Sequence, residues 1–163
     1  MKIREISFSF KEYSGSELDN QDLNLINSAK AVAEKAYAPY SGFRVGAAVL
    51  LKSGTVVTGA NVENAAFPTG ICAERNALAN AIVNYPGDQV ITIAIAACTD
   101  DGFTKEFISP CGNCRQFIAE EEFRSASKIR IILSGEDKCI ILDSAGSLLP
   151  LQFNKDNLRI ALP

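Results

Sequence analysis

Three thiols and one carboxylate stand in two short segments, Ile71-Cys72-Ala73-Glu74-Arg75 and Ser109-Pro110-Cys111-Gly112-Asn113-Cys114-Arg115-Gln116. Each segment follows a loop and opens a predicted helix. A C-x-x-C pair at a helix start sets two sulfurs within one turn, facing one point. Cys72 supplies a candidate third sulfur from the start of a neighbouring helix. Three thiolates plus a water around Zn2+ make the open, catalytic type of zinc site, and a soft sulfur donor set favours zinc. Helix N-termini carry unpaired N–H groups and partial positive charge, which favour thiolate over thiol. The thiolates also load the site with negative charge, and Arg75 is placed to donate hydrogen bonds to the sulfurs. Glu74, two residues beyond Cys72, falls near the metal without being a necessary ligand. A carboxylate there can take a proton from a metal-activated water and hand it on.

The C-x-x-C pair taken alone also fits a redox pair, half of a structural zinc site, or coincidence. Its late position, and the third helix-start cysteine, speak against a thioredoxin-like site. A closed structural zinc site needs a fourth ligand, and Cys98 and Cys139 are the remaining cysteines. Both fall inside predicted strands and read as small buried apolar residues. The chain has no histidine. That excludes Ser-His and Cys-His nucleophile pairs and every histidine-ligated metal site.

A chain of 163 residues with 47% hydrophobic and 21% charged residues reads as one globular domain, 1–163, with residues 1–20 as an N-terminal extension. The formal net charge of −3 makes it a poor partner for a nucleic-acid phosphate backbone. Lys2, Arg4 and Glu5 interrupt the N-terminus before any apolar signal core develops. No stretch approaches the roughly 20 apolar residues of a membrane span. These features predict a cytoplasmic protein, in which five cysteines point to metal or chemistry rather than to disulfides.

The positioning elements follow from hydrophobic periodicity. Residues 3–13 alternate, with Ile6, Phe8 and Phe10 on one side, and predict a half-buried strand broken at Ser14-Gly15-Ser16. Leu23, Ile26, Ala29, Val32, Ala33 and Ala36 recur at helical steps and predict a helix from about Asp19 to Tyr37, ended by Pro39. Val45 to Leu51 and Thr55 to Gly59 flank Ser53-Gly54 as a hairpin. Cys72 to Asn84 and Cys111 to about Glu122 are the two helices of the chemical segments, the first stopped by Pro86-Gly87. Val90 to Ala97 is continuously apolar, as in a strand covered on both faces. Ile129 to Leu133 and Cys139 to Leu142 are further strands, followed by a turn at Asp143 to Gly146. The order predicts an α/β fold with a mixed sheet of about five strands, helices on both faces, at least some parallel pairing, and a possible extra N-terminal edge strand.

The pattern C-A-E-R followed by P-C-x-x-C-R-Q resembles the zinc deaminase signature H-x-E…P-C-x-x-C, with Cys72 where that form has histidine. Ala38-Pro39-Tyr40-Ser41-Gly42-Phe43-Arg44-Val45-Gly46-Ala47-Ala48 and Gly59-Ala60-Asn61-Val62-Glu63-Asn64-Ala65 are similar to the nucleoside-binding segments of the small cytidine deaminases. The likeness runs from about residue 25 to residue 120, with a fainter echo at Leu148-Leu149-Pro150 and Phe153.

The resemblance implies a three-layer α/β/α sandwich and one Zn2+ per subunit, bound by Cys72, Cys111 and Cys114. It implies hydrolytic deamination of cytidine and deoxycytidine in pyrimidine salvage, with Glu74 as the proton carrier. By position, Phe43 packs on the pyrimidine, Asn61 and Glu63 hydrogen-bond the ribose, chiefly at the 3′-hydroxyl, and the backbone N–H of Ala73 holds the base. The family is usually homotetrameric, and Ala65, Phe67 and Phe153 would reach a neighbour's site. Phe67 stands where the family often has tyrosine. A carboxylate aimed at the sugar suits a free nucleoside better than a nucleotide. The alternatives are a deaminase of a related cytosine nucleoside such as blasticidin S, a single-strand editing deaminase, and a non-catalytic zinc scaffold.

Overall fold

The computed structural model describes residues 1–158. From the N-terminus its elements are β1 (Lys11–Ser14), α1 (Asn20–Ala33), β2 (Arg44–Leu51), β3 (Val56–Ala60), α2 (Ala73–Asn84), β4 (Val90–Thr99), β5 (Gly102–Phe103), α3 (Gly112–Ser125), β6 (Arg130–Ser134), β7 (Lys138–Leu142) and α4 (Lys155–Leu158). One sheet runs in the order β1-β7-β6-β4-β2-β3, with β5 paired to β4. β4 and β6 pair in parallel, with α3 in the connection between them, as a parallel crossover requires. The anticipated sheet of about five strands thus carries two further short ones, β1 and β5, and has seven.

Both faces are covered at the middle of the sheet, which is why β2 and β4 are buried at nearly every position, whereas β3 at the edge alternates. Along β2, Ala48 and Leu50 face α1, packing with Leu25, Ile26 and Ala29. Ala47 and Val49 face the opposite layer, where Ala77 and Leu78 of α2 and Ile118 of α3 lie against Ile93, Ile95, Ile131 and Leu133. Each fully buried Leu or Ile contributes about 1.5–3 kcal/mol relative to exposure. This packing, rather than helix propensity, fixes α2 and α3 to the sheet.

Two glycines set how closely the layers approach. A Cβ on Gly46 would lie 2.1 Å from the carbonyl oxygen of Ala29 in α1, and one on Gly59 would lie 2.4 Å from the backbone nitrogen of Ala77 in α2. Asp19 caps α1 by accepting from the Asp22 N–H at 2.8 Å. The Asp22 carboxylate in turn accepts from both terminal nitrogens of Arg130, at 3.0 and 2.8 Å, and pins α1 to the start of β6.

Two elements, β1 and α1, differ most from the sequence expectation. β1 covers Lys11–Ser14 instead of residues 3–13: β7 ends at Leu142, which leaves the residues well before Lys11 without a partner strand there. Residues 1–10 lie outside regular structure, with Ile6, Phe8 and Phe10 exposed. α1 stops at Ala33, before Tyr37. There the N–H groups of Lys35 and Ala36 turn back to the carbonyls of Val32 and Ala33, and Tyr37 exchanges backbone hydrogen bonds with Asn61 and Glu63. No helix among the described residues is long and apolar enough to cross a membrane.

Candidate active site and metal centre

α2 and α3 both point their N-termini at one place. Cys72 is the N-cap of α2 and Cys111 the N-cap of α3, and Cys114 lies in the first turn of α3. The three sulfurs lie within 4.8 Å of one another, and those of Cys111 and Cys114 are 3.5 Å apart. Thiols this close cannot all ionise unaided. The Cys114 thiol, hydrogen-bonding to the Cys72 sulfur, lowers the Cys72 pKa from 9.0 to about 6. Cys114 itself is pushed up, chiefly by the same hydrogen bond and by burial. A soft dication accepting three thiolates resolves this conflict, so the donor set fits zinc. Among the described residues the cluster stops at these three, and Cys98 and Cys139 are buried in β4 and β7 apart from it.

Glu74 sits in the first turn of α2 and is buried. Burial raises its pKa above the ordinary carboxylate value. That shift moves the carboxyl toward neutral pH, where it serves best as a proton carrier. Arg75 lines a surface recess with Asn113, Gln116, Phe117 and Glu120. Its positive charge is the smallest of the influences on Cys72. No hydrogen bond joins its guanidinium to a sulfur among the described residues.

Cys72, Cys111 and Glu74 line a cavity of about 380 Å³, within the size range of small-molecule sites, and Cys114 lies buried beside it. Phe43, Asn61, Glu63, Ala73, Glu74 and Phe67 all contribute to its wall. Ala73 opens α2, where backbone N–H groups have no acceptor within the helix. Asn61 is held rigidly, since its Oδ1 accepts from the Val45 N–H at 2.7 Å and its Nδ2 donates to the Phe43 carbonyl at 3.0 Å. The Glu63 carboxylate accepts from the N–H groups of Tyr40 and Ser41, at 2.8 and 3.2 Å, and from the Ser41 hydroxyl. These bonds, Ser41 foremost, hold its pKa below the usual carboxylate range.

Phe67 lies at the cavity of its own chain, 74% exposed, edge-on to the Tyr40 ring at 5.9 Å. Ala65 and Phe153 are exposed. The Phe153 carbonyl accepts from Gln116 of α3 at 2.7 Å, which ties the tail to the metal-bearing helix.

Sequence reasoning gave no role to four residues that support the site. Ile108 and Ser109, just before Pro110-Cys111, line the cavity. Arg115 donates to the carbonyls of Pro110 and Leu148 and to the Ser109 hydroxyl, at 2.8, 3.1 and 3.0 Å, and so fastens the loop that delivers Cys111. Asn76 donates to the Ala60 carbonyl at 3.0 Å and joins α2 to the end of β3. For Arg115 the signal was its place directly after Cys114; for Asn76 a polar residue in an alanine-rich helix was too weak a sign.

A mixed sheet presenting three convergent cysteine sulfurs and a buried carboxyl group at paired helix starts defines a hydrolytic zinc enzyme. The family model described as the cytidine and deoxycytidylate deaminase zinc-binding region matches residues 19–128. The chain belongs to that family. Its relatives include a cytidine deaminase of Sporosarcina psychrophila, 39% identical over 137 residues, covering 84% of this chain and 94% of the relative. Another is a cytidine deaminase of Halalkalibacterium halodurans, 48% identical over 96 residues, covering 59% of this chain and 68% of the relative. Among solved structures, a Burkholderia pseudomallei cytidine deaminase superposes with a TM-score of 0.67 at 42% identity, covering 80% of this chain and 97% of that one.

Proposed function

We propose that the protein hydrolyses the 4-amino group of cytidine and deoxycytidine, giving the uracil nucleoside and ammonia. The observation that carries this reading is the buried Glu74 beside three convergent sulfurs, at a cavity that Asn61 and Glu63 also line. Cys72, Cys111 and Cys114 hold the metal. Bound zinc supplies the Lewis acidity that makes water a nucleophile near neutral pH.

The chain's own residues do the rest. Glu74 takes one proton from water and passes it to N3 of the ring, then takes the second from the new C4 hydroxyl and passes it to the amino group, which leaves as ammonia. The Ala73 N–H and the Phe43 ring orient the pyrimidine. Asn61 and Glu63 hold the sugar. The ionised Glu63 accepts from neutral hydroxyls and repels a phosphate nearby, which favours nucleoside over nucleotide. The relatives bear the name cytidine deaminase, so neither the blasticidin S alternative nor the scaffold alternative is favoured.

A homotetramer belongs to the same proposal, with Ala65, Phe67 and Phe153 reaching neighbouring sites. In support, Phe67 and Phe153 are large aromatics left uncovered in the single chain. A cytoplasmic role in pyrimidine salvage completes it. The test is zinc analysis of the purified protein together with the ultraviolet absorbance change of cytidine. Bound zinc without turnover by the wild type refutes the proposal.

A further inference from the structure

Beside the cavity, Ser41 joins two of its lining residues, Phe43 and Glu63. Its hydroxyl donates to Oε1 of Glu63 and accepts from the Phe43 N–H at 3.0 Å. A hydroxyl has one proton, so these two bonds fix its direction. Phe43 N–H points to Ser41, and Ser41 points to Glu63. The backbone N–H groups of Tyr40 and Ser41 both donate to the other oxygen, Oε2. A carboxylate has about four acceptor positions. With these three donors in place, the remaining position lies on Oε1, beside the Ser41 hydroxyl. Phe43 and Glu63 both line the cavity, whereas Ser41 stands behind them.

We infer that Ser41 is a positioning residue for the sugar, locking Glu63 so that its carboxylate offers one directed acceptor to a substrate hydroxyl while fixing Phe43 at the ring. This rests on the nucleoside-deaminase reading. Without the Ser41 hydroxyl, Glu63 loses the bond that fixes Oε1, and the Phe43 N–H loses its acceptor. The carboxylate then swings about its two backbone donors, and a hydroxyl gains less from meeting it.

The test crosses Ser41 variants with a trimmed substrate. Turnover of cytidine and of 3′-deoxycytidine is measured for wild type, Ser41→Ala and Ser41→Thr, with the melting temperature of each. Loss of a hydrogen bond to a charged group corresponds to about a tenfold effect. The preference for cytidine over 3′-deoxycytidine in kcat/KM therefore falls about tenfold in Ser41→Ala, through KM, and returns in Ser41→Thr, which keeps the hydroxyl. Ser41 is exposed, so its truncation leaves no core cavity. Ser41→Cys, of similar volume but a weak donor, gives the same reading should the alanine variant fold poorly. Equal losses on both substrates, or no loss, overturn the positioning role while leaving the deaminase reading intact. A zinc-loaded wild type inert toward cytidine overturns both.

Discussion

Cys72 and Cys111 hold equivalent posts, each the N-cap of its helix with an extended backbone, at φ −76°, ψ 152° and φ −67°, ψ 168°. Neither side chain caps its helix. Ser, Thr, Asp or Asn is preferred at this position because its oxygen pairs with an orphan N–H, and losing that pair costs about 1 kcal/mol. Both helices forgo this bond, and both sulfurs are thereby left to a shared ion.

Replacing Cys111 by Ser should separate the two roles. The hydroxyl can cap α3, so the metal-free variant should melt higher than the metal-free wild type, by a ΔΔG of about 0.5–2 kcal/mol. Zinc binding and deamination should fall to background. Calorimetry with and without a chelator, alongside metal analysis, checks both outcomes.

Glu74→Gln should lower kcat by about 10²- to 10⁴-fold, the usual worth of a positioned proton carrier, with zinc content unchanged. Its stability effect has a defined sign in the metal-free protein. Burial raises the folded-state pKa above the unfolded one. Below the unfolded pKa the carboxyl is protonated in both states and no penalty exists. As pH rises through the folded pKa, the penalty for a buried carboxylate grows to its full size. Metal-free Glu74→Gln should therefore melt above metal-free wild type at neutral pH and match it in acid. A melting series across pH reads this directly.

Gly59→Ala tests how the sheet aims α2. The new Cβ would meet the Ala77 nitrogen at 2.4 Å and the Ala73 oxygen at 2.9 Å, both rigid backbone. α2 must move away, taking Cys72 and Glu74 with it. A loss of about 1–3 kcal/mol is the usual cost of such overpacking. Weaker zinc retention under chelator challenge should accompany it. Unaltered zinc retention would show that the helix start is positioned by other contacts.

The chemical centre was legible in the sequence because its signals are local. Cys72, Glu74 and the C-x-x-C pair each sit within a few residues of a helix start, and Pro86-Gly87 marks where α2 stops. What sequence could not give depends on distant partners. The alternation of Ile6, Phe8 and Phe10 describes a strand, but β7 is too short to pair with it. Ala36 continues the helical period of α1, yet the chain turns so that Tyr37 can bond to Asn61 and Glu63. β5 is only two residues, paired to the end of β4 within a stretch that reads as loop. Ser41 reads as a loop residue until Glu63, 22 positions away, closes on it.

Asn61 serves both the backbone and the cavity. Its amide bridges the backbone on either side of Arg44, accepting from Val45 and donating to Phe43. It thereby holds the ring wall as well as facing the cavity. Asn61→Asp is nearly isosteric, but it replaces the donor toward the Phe43 carbonyl with a second acceptor. Two oxygens then face each other, and the Phe43 segment is pushed away. Losing this bond and gaining repulsion should raise KM for cytidine at least about tenfold, by the usual cost of an unsatisfied polar group. In acid the carboxyl of the variant regains a proton and can donate again, so KM should improve as pH falls. An Asn61→Ala variant, which loses both bonds, lacks that recovery. Parallel KM profiles for the two variants between neutral and acidic pH would show that Asn61 acts on substrate alone, without holding Phe43.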